Sequence, residues 1–165
     1  MEVVKSLIEI GGFDINQSDT MGVTPLGWAA RRGHEEVVRL LLGQRNVYSE
    51  CLDVWDRTAL SYAAENGHER VVQLLLERRD VNPNGLSWGR TPLMGAAMDG
   101  HEGIVRRLLA RRNVNPNNLD DDFRTALSHT ARNGHVRVVQ LLLERRDVNP
   151  EGLDGWGRTP LSRAA

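Results

Sequence analysis

The sequence predicts an all-α fold, a solenoid of stacked helix-turn-helix units with hairpin-like finger loops between them. One prediction comes from recurrence. Thr58-Ala59-Leu60-Ser61-Tyr62-Ala63-Ala64-Glu65-Asn66-Gly67-His68 returns at spacings of 33 or 34 residues, with relatives beginning at Thr24, Thr91, Thr125 and Thr159. A period in that range marks one supersecondary unit copied and stacked. The other comes from composition. A chain that is 40% hydrophobic and only 5% aromatic can bury an extended core of Leu, Val and Ala, not a large globular one.

Each unit opens on a short helix. Thr is a good N-cap and Pro suits the first helical position, where no amide hydrogen bond is needed. Thr24-Pro25, Thr91-Pro92 and Thr159-Pro160 therefore start helices, which Gly33, Gly67, Gly100 and Gly134 end by accepting a left-handed conformation. The Ala-Ala pair inside (Thr130-Ala131 in one copy) lets neighbouring helices approach closely. A second helix follows, from about His34 to Leu42 in the first full unit. Val37, Val38, Leu41 and Leu42 give it one apolar face. Neither helix can bury that face alone, so stacking is obligatory.

The full units run over 19–51, 52–85, 86–118 and 119–152, between partial repeats at 1–18 and 153–165, as one array over 1–165. Glu2-Val3-Val4-Lys5-Ser6-Leu7-Ile8 aligns with Glu36-Val37-Val38-Arg39-Leu40-Leu41-Leu42, so the chain opens on a second helix and closes inside a first one. Capping repeats carry a polar outer face, and neither end has one. The expectation is a piece of a longer array, monomeric or end-stacked through its uncapped termini.

The repeated Thr-Pro/Ala-Leu, Ala-Ala, Gly-His and leucine-rich pattern resembles the ankyrin repeat over essentially the whole chain. The Gly-Arg-Thr-Pro-Leu openings are also similar to arrays in filamentous fungi, often attached to larger signalling proteins. The resemblance implies a protein-interaction module whose concave groove is lined by the first helices and bordered by the fingers. It also implies that His34, His68, His101 and His135, each after a helix-ending Gly, bond and pack the loops. One departure stands out: the family's usual His after Thr-Pro-Leu is replaced by Gly27, Ser61, Met94, Ser128 and Ser162.

Gly67–Leu86 and Gly134–Leu153 differ only at Glu69/Val136 and Asn84/Glu151. Against such likeness, positions that vary between copies are the candidates for recognition. One row reads Trp28, Tyr62, Gly95, His129 and Arg163; the pairs before Gly read Arg31-Arg32, Glu65-Asn66, Met98-Asp99 and Arg132-Asn133. These positions share one face of the first helix. A purely structural role is expected to repeat one residue, and this row is chemically unlike from copy to copy. A further set lies in the fingers: Met21, Trp55, Trp88, Asp122 and Trp156. The aromatics there are either hot-spot anchors or packing between fingers, and the sequence leaves both open.

The chemistry of catalysis is missing from the pattern. The recurring histidines lie too far apart for one metal ion; Ser61 and Ser128 belong to no base-and-acid arrangement; no phosphate loop, zinc spacing or calcium loop is present. No enzyme activity, metal or cofactor is expected. A net charge of −1 gives no bulk attraction to nucleic acid or acidic membranes. The single Cys51 excludes an intramolecular disulfide and suits a reducing compartment. With no signal peptide or spanning segment, the expected location is cytoplasmic or nuclear, and the acceptor-like Asn16-Gln17-Ser18 is not expected to be glycosylated.

Every basic residue but Lys5 is Arg. Arg78-Arg79, Arg111-Arg112 and Arg145-Arg146 follow the second helices, where cations bond free carbonyls. Arg57, Arg90, Arg124 and Arg158 precede the repeat Thr among acids such as Asp53, Asp56, Asp120, Asp121, Asp122 and Asp154, as expected of surface ion pairs. The functional expectation is recognition of a protein partner through the groove. The alternatives are a spacer without a ligand on this stretch, and an Arg-mediated binder of an acidic peptide or RNA.

Overall fold

Short helices in pairs make up the computed structural model of this protein, which describes residues 2–165, except the side chains of Glu2 and Glu9. Among the described residues there are ten helices and no strand, only an isolated bridge between Ser87 and Arg90. The helices fall into two compact units, residues 1–82 and 83–165.

The first unit holds α1 (Glu2–Ile10), α2 (Pro25–Arg31), α3 (Glu35–Leu42), α4 (Ala59–Glu65) and α5 (Glu69–Leu76). First helices α2 and α4 pack side by side, as do second helices α3 and α5, and each first helix packs on its own second helix. The second unit repeats the scheme with α6 (Pro92–Met98), α7 (Glu102–Leu109), α8 (Ala126–Arg132), α9 (Val136–Leu143) and α10 (Pro160–Ala164). Here α6, α8 and α10 form one row and α7 and α9 the other.

Local chemistry sets the ends of these helices. Thr24, Thr58, Thr91, Thr125 and Thr159 each cap a first helix by accepting the amide three residues on. The residues that replace the family's His complete some of these caps. Ser61 Oγ accepts the Thr58 amide at 3.0 Å, and Met94 Sδ stands 3.5 Å from the Thr91 amide. Gly33 (φ 69°) and Gly100 (φ 73°) end α2 and α6 for two reasons. Their backbone is left-handed, and a Cβ would meet the rings of His68 at 2.5 Å and His135 at 2.7 Å.

The Ala pairs Ala29-Ala30, Ala63-Ala64 and Ala96-Ala97 are buried, as are Val38 and Leu41 of α3, whereas Val37 and Leu42 are half-buried. The apolar faces of α5, α7 and α9 bury Val72, Leu75, Ile104, Leu108, Val138 and Leu142 in the same way. Each fully buried Leu or Ile contributes on the order of 1.5–3 kcal/mol.

Polar joints tie one repeat to the next. His68 Nε2 lies 3.0 Å from the Arg31 carbonyl and His135 Nε2 lies 2.8 Å from that of Met98, which closes the last turn of the preceding first helix. Arg78 donates to the Leu42 carbonyl at 3.3 Å, and Arg145 to that of Leu109 at 3.0 Å, so these cations serve the previous second helix. Their other N–H groups hold Asp80 and Asp147. A third joint was not anticipated. Asn16 donates to the Asn46 carbonyl and accepts the Tyr48 amide, and Asn84 and Asn117 do the same to Asn113/Asn115 and Asp147/Asn149. Asn16 is thereby engaged in packing.

Candidate functional site

Every finger is closed by a backbone bond between its first residue and the residue before the capping Thr. Asp19, Asp53, Asp120 and Asp154 donate their amides to Val23, Arg57, Arg124 and Arg158 across three intervening residues. The Asp side chain fastens the turn from within. Asp53 Oδ1 accepts the amides of Trp55 (2.8 Å) and Arg57 (2.9 Å), and Asp120 and Asp154 repeat both bonds. Asp19 likewise accepts the amides of Met21 and Val23.

The second carboxylate oxygen reaches the first helix. Asp19 Oδ2 accepts Trp28 Nε1–H at 2.9 Å, Asp53 Oδ2 accepts the Tyr62 hydroxyl at 2.5 Å, Asp120 Oδ2 meets His129 Nε2 at 2.7 Å, and Asp154 Oδ2 accepts Arg163 Nη1–H at 2.8 Å. The variable row therefore has one structural requirement, an N–H or O–H donor at the right reach, met by four different side chains. Tyr62 is 2% exposed and His129 4% exposed, so neither offers surface to a partner. This corrects the expectation that a structural role repeats one residue type.

The electrostatics agree with the latch. Burial works against ionisation of Asp53, but hydrogen bonds from Tyr62, the Arg57 and Trp55 amides and the Arg57 side chain outweigh it and hold the carboxyl below its usual range. Burial and then the Asp53 bond push the Tyr62 phenol up to about 12. Burial lowers the His129 pKa against the pull of Asp120, whose carboxylate lies 2.7 Å from Nε2. Asp154 is also held low, because hydrogen bonds from the Arg158 amide and the Arg163 and Arg158 side chains outweigh its burial.

The third finger differs. It is one residue shorter, closing Ser87 directly on Arg90 by bonds of 2.7 and 2.9 Å, which accounts for the single 33-residue spacing from Thr58 to Thr91. Its two central residues, Trp88 (φ 51°) and Gly89 (φ 69°), are both left-handed, the pattern of a type I′ hairpin turn. No latch exists here. Ser87 replaces the Asp, Gly95 replaces the donor, and the buried Ser87 Oγ has no partner among the described residues.

The exposed remainder of the predicted face is narrower than the sequence implied. Arg31, Arg32, Asn66, Asp99, Arg132 and Asn133 are exposed, whereas Glu65 and Met98 are half-buried. Asn66 and Asn133 also donate to the Tyr62 and Met98 carbonyls. In the first unit, Arg31 lies over Trp28 (5.2 Å) and Tyr62 (5.5 Å), and Arg32 over Trp28 (5.3 Å). Among the finger residues, Met21 is 39% exposed and Trp55 is half-buried under Arg57 at 4.3 Å. Half-buried Asp122 pairs with Arg124 at 2.7 Å, and Trp156, 59% exposed, carries Arg124 and Arg158 at 4.8 and 4.9 Å. Trp88 is 58% exposed with no cation over its ring among the described residues. Cation–π contacts among the described residues thus occupy two of the three finger tryptophans and leave Trp88 bare, as is Phe123 (φ 58°, 59% exposed) in the next finger.

Beneath Trp156 is a cavity of about 340 Å³ lined by Arg124, Arg132, Arg158, Ser162 and Arg163. Arg124 and Arg158, expected as members of surface ion pairs, are joined here by Arg132 and Arg163, which the sequence does not group with them. Among the described residues, no group of three or more His, Cys, Asp or Glu side chains is placed to hold a metal ion, and no helix is long and apolar enough to cross a membrane.

The chain was compared with known proteins. A family model described as ankyrin repeats in three copies matches residues 1–85, 44–120 and 93–165. No curated protein matches the chain. Ankyrin repeats are generally protein-protein interaction modules and a non-enzymatic fold. Helix pairs, Gly-His joints and fingers agree with that match, and this chain belongs to the ankyrin-repeat family.

Proposed function

We propose that the chain recognises a protein partner through the fingers and the exposed ends of the first helices of its second unit, residues 83–165, with Trp88 as an aromatic anchor. Trp88 carries the reading. A bulky side chain in the left-handed region is disfavoured by about 1–2 kcal/mol, and Asn or Gly is the ordinary choice at that turn position. A strained, exposed, unstacked Trp is poorly explained by stability, and Trp is enriched at binding hot spots. Asp99 and Arg132, exposed at the ends of first helices in the same unit, supply polar contacts beside such an anchor. The scaffold is tied by buried caps and inter-repeat bonds, so binding needs little ordering.

The test compares wild type with Trp88→Asn and Tyr62→Phe in cross-linked capture from a eukaryotic lysate. Trp88→Asn is expected to unfold at higher denaturant, by about 1 kcal/mol through relief of the turn, and to lose the captured protein. Tyr62→Phe leaves the exposed face intact and is expected to capture as wild type does. Equal capture by wild type and Trp88→Asn would remove the anchor and favour a spacer role.

A further inference from the structure

We infer that the cavity beneath Trp156 is a subsite for a phosphorylated serine or threonine side chain of the partner. This rests on the proposed recognition surface of the second unit and names the chemistry read there.

Four guanidiniums, those of Arg124, Arg132, Arg158 and Arg163, converge on one cavity of about 340 Å³. Two carboxylates answer them: Asp122 pairs with Arg124 at 2.7 Å, and Asp154 pairs with Arg158 at 3.0 Å and Arg163 at 2.8 Å. Counting the four guanidiniums and their ion-pair partners alone, the balance is an excess of two positive charges. A phosphomonoester carries about −1.5 to −2 at pH 7 and offers three acceptor oxygens, so it matches this excess where a single carboxylate matches half.

Donors are in place as well. Arg163 has a side chain only 3% exposed, and its Nε–H is buried without a partner among the described residues. The Nε–H of Arg124 is in the same position, on a side chain 15% exposed. Asp154 and the Trp156 ring fix the approach of Arg158, and Trp156 also holds Arg124. Arg132 is exposed, with no ion-pair partner among the described residues, at the mouth. Guanidinium forks fixed in this way suit bidentate recognition of a tetrahedral oxyanion.

The experiment follows the arginine Nε–Hε signals of the full chain by NMR, assigned with Arg124→Lys and Arg163→Lys. The probes are N-acetyl-phosphoserine methylamide, inorganic phosphate and N-acetyl-aspartate methylamide. Saturable shifts at Arg124 and Arg163 are expected, with the phosphoserine probe binding about tenfold tighter than the aspartate probe and tighter than inorganic phosphate. Arg132→Ala is expected to weaken that binding about tenfold with an unchanged unfolding midpoint, since its side chain is exposed. Absence of shifts, equal affinity for the aspartate probe or free phosphate, or wild-type binding by Arg132→Ala overturns the assignment. So does tighter binding of a short oligoribonucleotide than of the phosphoserine probe. Trp88 does not line the cavity, so loss of this subsite leaves the Trp88 capture result standing, and loss of the anchor leaves the phosphoserine titration standing.

Discussion

The finger at Asp53–Arg57 and the finger at Ser87–Arg90 do the same job by opposite means. In the first, one carboxylate gathers the Trp55 and Arg57 amides, the Arg57 guanidinium and the Tyr62 hydroxyl, and the ring of Trp55 is stacked under Arg57. In the second, the carboxylate and the donor are both gone, the turn has lost a residue, and a left-handed Trp88 projects without a cation over it. The two changes belong together. A carboxylate without its donor, or a buried phenol without its acceptor, leaves an unpaired polar group at a cost of about 1–3 kcal/mol, whereas Ser87 with Gly95 removes both sides of the bond. The lesson is that this finger is freed from the latch, and its Trp88 ring lacks the cation that covers half-buried Trp55 and exposed Trp156.

The comparison breaks most clearly at Asp53. Asp53→Ala is expected to destabilise its unit by about 3 kcal/mol, because it strands buried amides, a phenol and a guanidinium that shared one carboxylate. Denaturant unfolding followed by far-UV circular dichroism measures this, and a loss under about 1 kcal/mol would mean that the latch contributes little. Tyr62→Phe removes only one bond, and a loss of about 1.5 kcal/mol at pH 7 is expected. The pH dependence gives a second reading. The Tyr62 pKa is raised on folding to about 12, so the neutral phenol is the form that stabilises the fold. Its contribution is fully present below the unfolded value near 10 and is lost as pH rises from there through 12. Tyr62→Phe is expected to flatten that alkaline loss; an unchanged profile would assign it to other groups.

How much of this was legible depends on what each position requires. The left-handed finger position is taken by Gly22, Asp56, Phe123 and Gly157, whereas at the caps and at the Gly-His joints the same residue returns from copy to copy. Thr24 caps, Gly33 in the left-handed region and His68 against the previous helix were all readable on that basis. The row Trp28, Tyr62, His129 and Arg163 was misread because its requirement is a donor at a fixed reach, which an indole, a phenol, an imidazole and a guanidinium all satisfy. At buried Tyr62 and His129, variation records tolerance of identity in a structural bond. A signal was present in the pairing of each donor with an Asp nine residues earlier, absent only where Gly95 stands. The Asn16, Asn84 and Asn117 joints had a weaker signal, their recurrence at whole repeat lengths with Glu50 in the copy between the first two, but nothing local to a loop says that its amide enters the next one. The arginine cavity is the least legible feature, since it gathers residues from α8, α10 and two fingers.

The smallest expected effect sharpens the comparison furthest. Ser87 is buried to 2% exposure, and its Oγ has no partner among the described residues. Ser87→Ala deletes a desolvated hydroxyl that makes no bond, so it is expected to change stability by less than about 0.5 kcal/mol, or to raise it slightly. The turn itself is closed by the Ser87 and Arg90 backbone groups, which the substitution leaves untouched. Measured beside Asp53→Ala, it sets a near-neutral change against a severe one at equivalent places in two fingers. A loss above about 1 kcal/mol would show that the Ser87 hydroxyl is bonded in solution. The third finger would then be a latched finger of another kind, and the strain at Trp88 would no longer stand alone as the reason to look there for a partner.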